Sequence, residues 1–326
     1  MKAFIYKKYG PPDVLQLVEV PKPIPKPNEI LVKVRATSVN RTDCANLRAK
    51  PSIMRLSMGL FAPRNPILGT EFSGEITEIG TAVTKYEVGN RVFGFSDSGL
   101  KSYAEYLVLT PIDAFGIMPN HISFQQAAGC IEGAHYAYNM INKLKLQEGD
   151  RVLINGATGG IGSAAMQLLG YLGIERIAVT NTKNIPLAAS LGASHTIDWE
   201  RQDFTKSADK YQAILDTSGK STFKACKPIL VNGGAYISSE LGPWSQNLFY
   251  SLFTYLLGSV PFTKGKKVKF PYPPNIMRSI RLLKSLIEEH HFSPLIDRVY
   301  PFEEIPEAFR YVEEGHKTGN VVISLE

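Results

Sequence analysis

Over the first third of the chain, apolar and polar positions alternate in short runs. Residues 4–6, 15–20, 30–37, 74–79 and 91–95 are rich in β-branched and aromatic side chains and read as strands. Gly10-Pro11-Pro12 and the proline-rich stretch 21–27 punctuate them, the latter as a rigid connector. The pattern predicts a β-rich domain of barrel type. From Ser123 the period changes. Ser123 with Gln126 three residues on has the form of a capping box, and a helical run is expected from there to Leu144.

The next segment alternates strand and helix. Strands are predicted at 151–155, 176–180, 195–197, 213–216 and 235–238, with helices at 163–172 and 185–191 between them. Such β–α–β alternation implies a parallel sheet with helices on both faces. An amphipathic helix is expected at 277–290, and short strands return at 295–300 and 321–325. The fold class is therefore α/β: a Rossmann-type doubly wound parallel sheet plus a second, β-rich domain. A length of 326 residues suits two domains.

Composition removes several alternatives. Charged residues make up 20% of the chain, and the formal net charge is +6, too diffuse to predict specific nucleic-acid binding. The densest basic stretch, 264–269, reads as a solvated loop. Cys44, Cys130 and Cys226 are far apart, so neither a disulfide framework nor a clustered zinc site is expected, and a reducing, cytoplasmic setting fits. The first residues turn polar at once, unlike a signal peptide. The run 244–262 is aromatic but interrupted by Ser, Gln, Asn, Thr and Gly, so a membrane span is not expected. It reads as a buried helix or dimer surface, with monotopic membrane contact as the alternative.

Chemistry is carried by Ala157-Thr158-Gly159-Gly160-Ile161-Gly162. This is a dinucleotide fingerprint with Ala157 in the first glycine slot, and it lies between a strand and a helix as the motif requires. Gly159 would let backbone approach a pyrophosphate, Gly162 would let the helix pack on the sheet, and the helix N-terminus would offer free N–H groups. The second strand ends Val179-Thr180-Asn181-Thr182-Lys183, with no acid for a ribose 2′-OH. Asn181 and Thr182 can donate to a 2′-phosphate and Lys183 can neutralise it, which predicts NADPH over NADH.

Further segments match across nearly the whole chain: Gly10–Leu15, Ser38–Asp43, Leu68–Gly74, Val88–Val92, Leu191–Ala193, Leu215–Thr217 and Gly319–Val322. Through them the chain resembles the medium-chain dehydrogenase/reductase superfamily, and more narrowly its zinc-independent quinone oxidoreductase (zeta-crystallin-like) branch. The resemblance implies a GroES-like catalytic domain of residues 1–122 and 290–326, a Rossmann domain of 123–289 and an active site in the cleft. Zinc-dependent relatives place Cys where this chain has Asn40 and His where it has Thr70. Glu71 remains, but no zinc is expected.

By the same resemblance Asn40 and Asp43 are the catalytic candidates. Asn40 would sit near the nicotinamide ribose and substrate, and Asp43 would hold the loop or join a proton relay. Thr180, Thr217 and Ser238 lie at strand ends. Phe270 and Tyr272 belong to the strand expected to meet the nicotinamide amide. Trp199 would flank the adenine ribose phosphate, and Asn320 completes the cofactor contacts. No His stands out as a general base. Tyr6, Tyr9 and Tyr136 could each donate a proton, although delivery by water is the simplest assumption. The stretch 48–66 combines apolar residues with three arginines and reads equally as a flap over the substrate or as a helix packed on the barrel.

The expected activity is hydride transfer from NADPH to a quinone or small conjugated carbonyl, by a homodimer. A zinc-free alcohol or ketone dehydrogenase and a non-catalytic NADPH-binding sensor or interaction protein are the alternatives.

Overall fold

The structure is a computed structural model that describes residues 1–242, 245–256, 263, 265–272 and 274–326. The chain forms an α/β fold with two compact units, Met1–Glu132 with Asn275–Glu326, and Gly133–Pro274.

The first unit is GroES-like, and the strand Ile30–Val39 organises it. Ten residues long and buried along most of its length, it pairs antiparallel with Glu71–Ile79 on one side. On its other side Tyr106–Leu109 pairs with the first half and Asn320–Ser324 with the second. Arg91–Phe95 and Phe115–Ile117 extend the sheet one way, and Ile296–Pro301 the other way, parallel to Asn320–Ser324. The strands Tyr106–Leu109 and Phe115–Ile117 were not foreseen; four and three residues carry too little alternation to read.

The capping box forms as expected: Gln126 N–H donates to Ser123 Oγ, and Ser123 N–H to Gln126 Oε1. The helix it starts is nevertheless short. Phe124–Ala128 ends at Gly129, and a second helix, Ile131–Asn142, begins at once. The break leaves the first N–H groups of the second helix without helical partners.

The unit boundaries fall at 132/133 and 274/275, where the sequence suggested 122/123 and 289/290. The helix Ile276–Glu288 lies in the first unit because its buried face packs there: a Cβ on Gly116 would stand 3.1 Å from Ile280 Cγ2.

The second unit is a six-stranded parallel sheet. Its order is His195–Asp198, Glu175–Thr180, Arg151–Asn155, Tyr211–Asp216, Leu230–Ser238, Lys267–Lys269. In sequence terms this is 3-2-1-4-5-6, the doubly wound Rossmann order, with its switch point between the first and fourth strands. Leu230–Ser238 begins five residues before the expected start, because exposed Asn232 and Gly233 hid its first half.

The run 244–262 is described as the helix Gln246–Leu256; Trp244 and 257–262 lie outside the described residues. The expectation of a buried helix is corrected. Asn247 and Thr254 face inward, donating to the carbonyls of Glu240 and Val268, while Leu248, Phe249, Leu252, Phe253, Tyr255 and Leu256 are exposed. Among the described residues no helix is long and apolar enough to cross a membrane.

Asp216 ties the sheet together at the switch point. Fully buried, it accepts from Asn155 Nδ2 at 2.9 Å, Tyr236 Oη at 2.9 Å, Ser218 Oγ at 3.1 Å and Ser221 N–H at 3.1 Å. Asp216→Ala removes the acceptor that these four donors share, leaving Asn155 Nδ2 only Ser218 Oγ and Tyr236 Oη only Ser221 O. It is expected to lower unfolding stability by about 3 kcal/mol or more in urea titration. A loss below about 0.5 kcal/mol would deny Asp216 this role.

Candidate functional site

The glycine turn follows the first strand of the parallel sheet. Gly156 takes a positive φ of 83°, and Ala157 N–H donates to Val179 O at 3.1 Å, which sets the turn against the second strand. The helix Gly160–Tyr171 starts directly after Gly159. A Cβ on Gly162 would stand 2.0 Å from Gly156 O, so glycine is obligatory there. A Cβ on Gly159 would meet only Gly156 O at 3.5 Å, an ordinary contact. The protein's own packing therefore does not demand glycine at 159. The helix Ile131–Asn142 presses on the same turn, and a Cβ on Gly133 would stand 2.7 Å from Gly160 O.

Thr158 and Thr180 share a hydroxyl hydrogen bond of 2.8 Å that joins the turn to the second strand's end. Asn181 caps the following turn, its Oδ1 accepting from Asn184 N–H. Lys183 is exposed. Thr182 corrects the sequence reading: its hydroxyl donates to Asp198 Oδ2 at 2.5 Å and its N–H to Glu200 Oε2 at 3.1 Å. Both Thr182 donors are thus engaged, by carboxylates at the end of the third strand and just past it. Sequence distance concealed them. Trp199, 51% exposed, is tied to the same strand end through its N–H to Thr180 O.

Other candidates are structural where they stand. Thr217 donates to Asn155 O at 2.8 Å, and Ser238 is buried beside Asp216. Phe270 and Tyr272 lie past the end of Lys267–Lys269 rather than in the strand. Phe270 lines a cavity of about 590 Å³ together with Leu252, Tyr255, Lys143 and Lys269, and Tyr272 is exposed. Asn320 belongs to the first unit, where its N–H and its Nδ2 both donate to Leu295 O.

Within the first unit the candidate chemistry gathers at the start of the helix Arg41–Arg48. Asn40 is buried, and its Nδ2 donates to Ser38 Oγ at 2.9 Å and to Glu71 Oε2 at 3.3 Å. Its N–H donates to Asp43 Oδ2 at 2.9 Å. Glu71 also accepts from Ser38 Oγ at 2.8 Å and from the N–H groups of Ile131 and Glu132, at 2.5 and 3.2 Å. The break before Ile131 thus supplies the donors that hold this carboxyl. Tyr103 Oη donates to Ser38 O. Of the tyrosines considered as acids, Tyr6 is packed in the core and Tyr9 donates to Gly59 O at 2.8 Å.

Thr70 and Glu132 complete the cluster. Thr70 Oγ1 lies 3.2 Å from Asp43 Oδ1 and 3.4 Å from Glu132 Oε2, while Thr42 Oγ1 donates to Glu132 Oε1 at 2.6 Å. One hydroxyl proton serves one acceptor, so the second of these carboxyl contacts is favourable only when that carboxyl keeps its own proton. Glu132 had no sequence signal, since it sits apart from every motif.

Burial raises all three carboxyls. It pushes Asp43 up to about 7, against hydrogen bonds from Asn40 and Thr70 that favour the anion. Glu71 is also pushed up to about 7, with Ser38 and the two backbone donors opposing. Glu132 is raised well above the carboxylate range by burial and then by the charges of Asp43 and Glu71. Burial lowers Lys317, with Glu132 opposing. Among the described residues, no group of three or more His, Cys, Asp or Glu side chains is placed to hold a metal ion.

Comparison with known proteins places these features in context. The alcohol dehydrogenase GroES-like domain family matches residues 26–128, and the zinc-binding dehydrogenase family matches 191–323. A mitochondrial NAD(P)H oxidoreductase of Drosophila melanogaster is 29% identical, over 100% of this chain and 86% of its own length. The chloroplastic NADPH-dependent alkenal/one oxidoreductase of Arabidopsis thaliana is 27% identical, over 99% and 79%. The quinone oxidoreductase of Coxiella burnetii superposes with a TM-score of 0.85 at 26% identity, over 100% of this chain and 99% of that one.

The carboxyl cluster gives a pH dependence with a definite sign. Asp43 and Glu71 titrate near 3.8 and 4.5 when exposed and near 7 in the fold. From about pH 4 to 7, and beyond while Glu132 keeps its proton, the folded chain holds more protons, so stability is expected to fall as pH rises through that window. Asp43→Asn should flatten the fall by roughly a third, read as urea midpoints from about pH 4 to 8. An unchanged slope would show that Asp43 titrates normally.

Proposed function

The chain belongs to the medium-chain dehydrogenase/reductase superfamily, in its quinone oxidoreductase-like branch, and on that premise we propose an NADPH-dependent, zinc-independent reductase of quinones or α,β-unsaturated carbonyls. It is an NAD(P)H oxidoreductase; cofactor preference, acceptor and metal independence are the substance of the proposal. One observation carries it. At the switch point of the parallel sheet, Gly162 is demanded by the chain's own packing and Gly159 is not, which leaves the open backbone approach that a pyrophosphate requires.

In this reading the backbone from Ala157 through Gly162 (Thr158, Gly159, Gly160 and Ile161 included) lies along the pyrophosphate and the helix-start N–H groups of Gly160 and Ile161 meet it, while Ala157 and Gly159 donate within the turn to Val179 O and Gly156 O. Asn181 and Lys183 meet the 2′-phosphate, and Trp199 offers an exposed ring beside the same strand end. Thr180, Thr217 and Ser238 shape the floor of the site. The nicotinamide supplies hydride chemistry when bound, so the protein's task is orientation. Asn40, its amide fixed by Ser38 and Glu71, orients the acceptor. Asp43 acts as a positioning residue through the Asn40 N–H.

The donor set does not suit zinc. An amide and a hydroxyl, Asn40 and Thr70, replace the thiolate and imidazole of zinc-dependent relatives. The acceptor class is supported by the Arabidopsis relative's name. A reducing compartment, the cytoplasm in the simplest case, agrees with three free, buried cysteines. The exposed face of Gln246–Leu256 is proposed to seat a second copy, and a single-copy mass in sedimentation would count against that.

A second cofactor reading has an observation of its own. Asp198 and Glu200 at the Thr182 loop disfavour a 2′-phosphate and so favour NADH.

Oxidation of NADPH and NADH with a quinone, an alkenal and a saturated ketone tests the proposal. Turnover is expected with NADPH and a conjugated acceptor and not with the ketone, and Glu200→Gln should strengthen NADPH binding several-fold. Preference for NADH would mean that the two carboxylates decide the cofactor. Cofactor binding without turnover on any acceptor would overturn the enzymatic reading.

A further inference from the structure

The stretch 48–66 is neither a long helix nor packed away. The helix Arg41–Arg48 ends at Ala49, and two single turns follow, Ser52–Met54 and Arg55–Met58. Gly59 then reverses the chain at a φ of 127°, where a Cβ would stand 2.0 Å from Ala62 O. The turn is pinned from behind. Tyr9 Oη donates to Gly59 O at 2.8 Å, Arg64 N–H to Met58 O at 2.8 Å and Arg64 Nη1 to Ser57 O at 3.3 Å.

What the pinned turn presents is apolar. Ile53 is 71% exposed, Leu56 67%, Leu60 54% and Phe61 89%. Ile53 and Leu56 lie three residues apart on the two single turns, and Leu60 and Phe61 follow directly after the reversal at Gly59. The charge carried by the stretch itself has one sign. No Asp or Glu occurs between Asp43 and Glu71, while Arg48, Lys50, Arg55 and Arg64 do. Arg48 is engaged by Glu313, and Arg55 lies over the Tyr9 ring with its centre 5.1 Å from the ring centroid. Lys50, Arg55 and Arg64 are all exposed around the apolar tip.

We infer that the turn 51–64 is a membrane-contacting element that docks on an anionic lipid surface, inserting Ile53, Leu56, Leu60 and Phe61 below the headgroups while Lys50, Arg55 and Arg64 meet the anionic layer. Exposed apolar residues beside the exposed cations Lys50, Arg55 and Arg64 match the apolar interior and negative surface of such a bilayer. A protein partner of ordinary size needs roughly 20–30 residues a side, far more than a turn this short supplies. A lipid surface requires no such complementary area. The inference is independent of the acceptor, because vesicle binding needs no turnover.

The test is cosedimentation of the full chain with vesicles of phosphatidylcholine, with and without phosphatidylserine. Binding is expected only to the anionic vesicles and should weaken as salt is raised. Leu56→Ser with Phe61→Ser should lower the partition at least tenfold, and Lys50→Gln with Arg55→Gln by roughly tenfold or more. All four positions are exposed, so circular dichroism and the urea midpoint should match the parent and exclude misfolding. A parent chain that stays in solution with anionic vesicles would overturn the inference. So would variants that bind as well as the parent, since another face would then make the contact.

Discussion

Three carboxyl groups lie in the interior of the first unit, and an interior of low polarity tolerates them only with donors or protons. Glu71 is met by a hydroxyl, an amide and two backbone N–H groups. Those N–H groups are free because one expected helix is two, so the break at Gly129 and the placement of Glu71 are a single arrangement. Asp43 and Glu132 share the Thr70 hydroxyl, which cannot donate to both. The same arrangement fixes Asn40 from both ends of the residue, side chain to Glu71 and backbone to Asp43. Orientation of the candidate acceptor contact therefore depends on how this cluster holds its protons.

The second unit solves a different problem, bringing backbone close to an anion. Its Rossmann strand order puts the glycine turn and Asp216 at the two sides of the switch point. Asp216 organises the loops there through four donors, and the crowding at Gly162 locks helix to turn. The loop after the second strand is more finely balanced. Lys183 favours a phosphate, whereas Asp198 and Glu200 oppose it and already occupy Thr182. Cofactor choice thus turns on side chains brought together from the ends of neighbouring strands.

Much of the fold was legible because its elements are locally consistent. Arg151–Asn155 and Arg91–Phe95 lie where apolar runs bounded by turns predict them, and Ser123 caps its helix as written. The dinucleotide turn was legible for the same reason: strand, glycines and helix are contiguous. What escaped was non-local. Glu132 joins the buried cluster through contacts with residues 62 and 90 positions away, and Glu200 reaches Thr182 across 18. The choice between buried helix and dimer surface for Gln246–Leu256 was not legible either, since polar Asn247 and Thr254 find buried carbonyl partners while Phe249, Phe253 and Tyr255 are exposed. Hydrophobicity alone cannot see a carbonyl waiting inside.

The central proposal is that this chain reduces its acceptor without a metal, with Asn40 and Thr70 standing where zinc-dependent relatives carry ligands. Its most direct test is the rate of NADPH-driven reduction of a conjugated acceptor by protein exhaustively treated with chelator, with bound zinc quantified before and after. The account predicts no stoichiometric zinc and an unchanged rate. Zinc at one equivalent per chain, with activity lost on its removal and restored on its return, would contradict it.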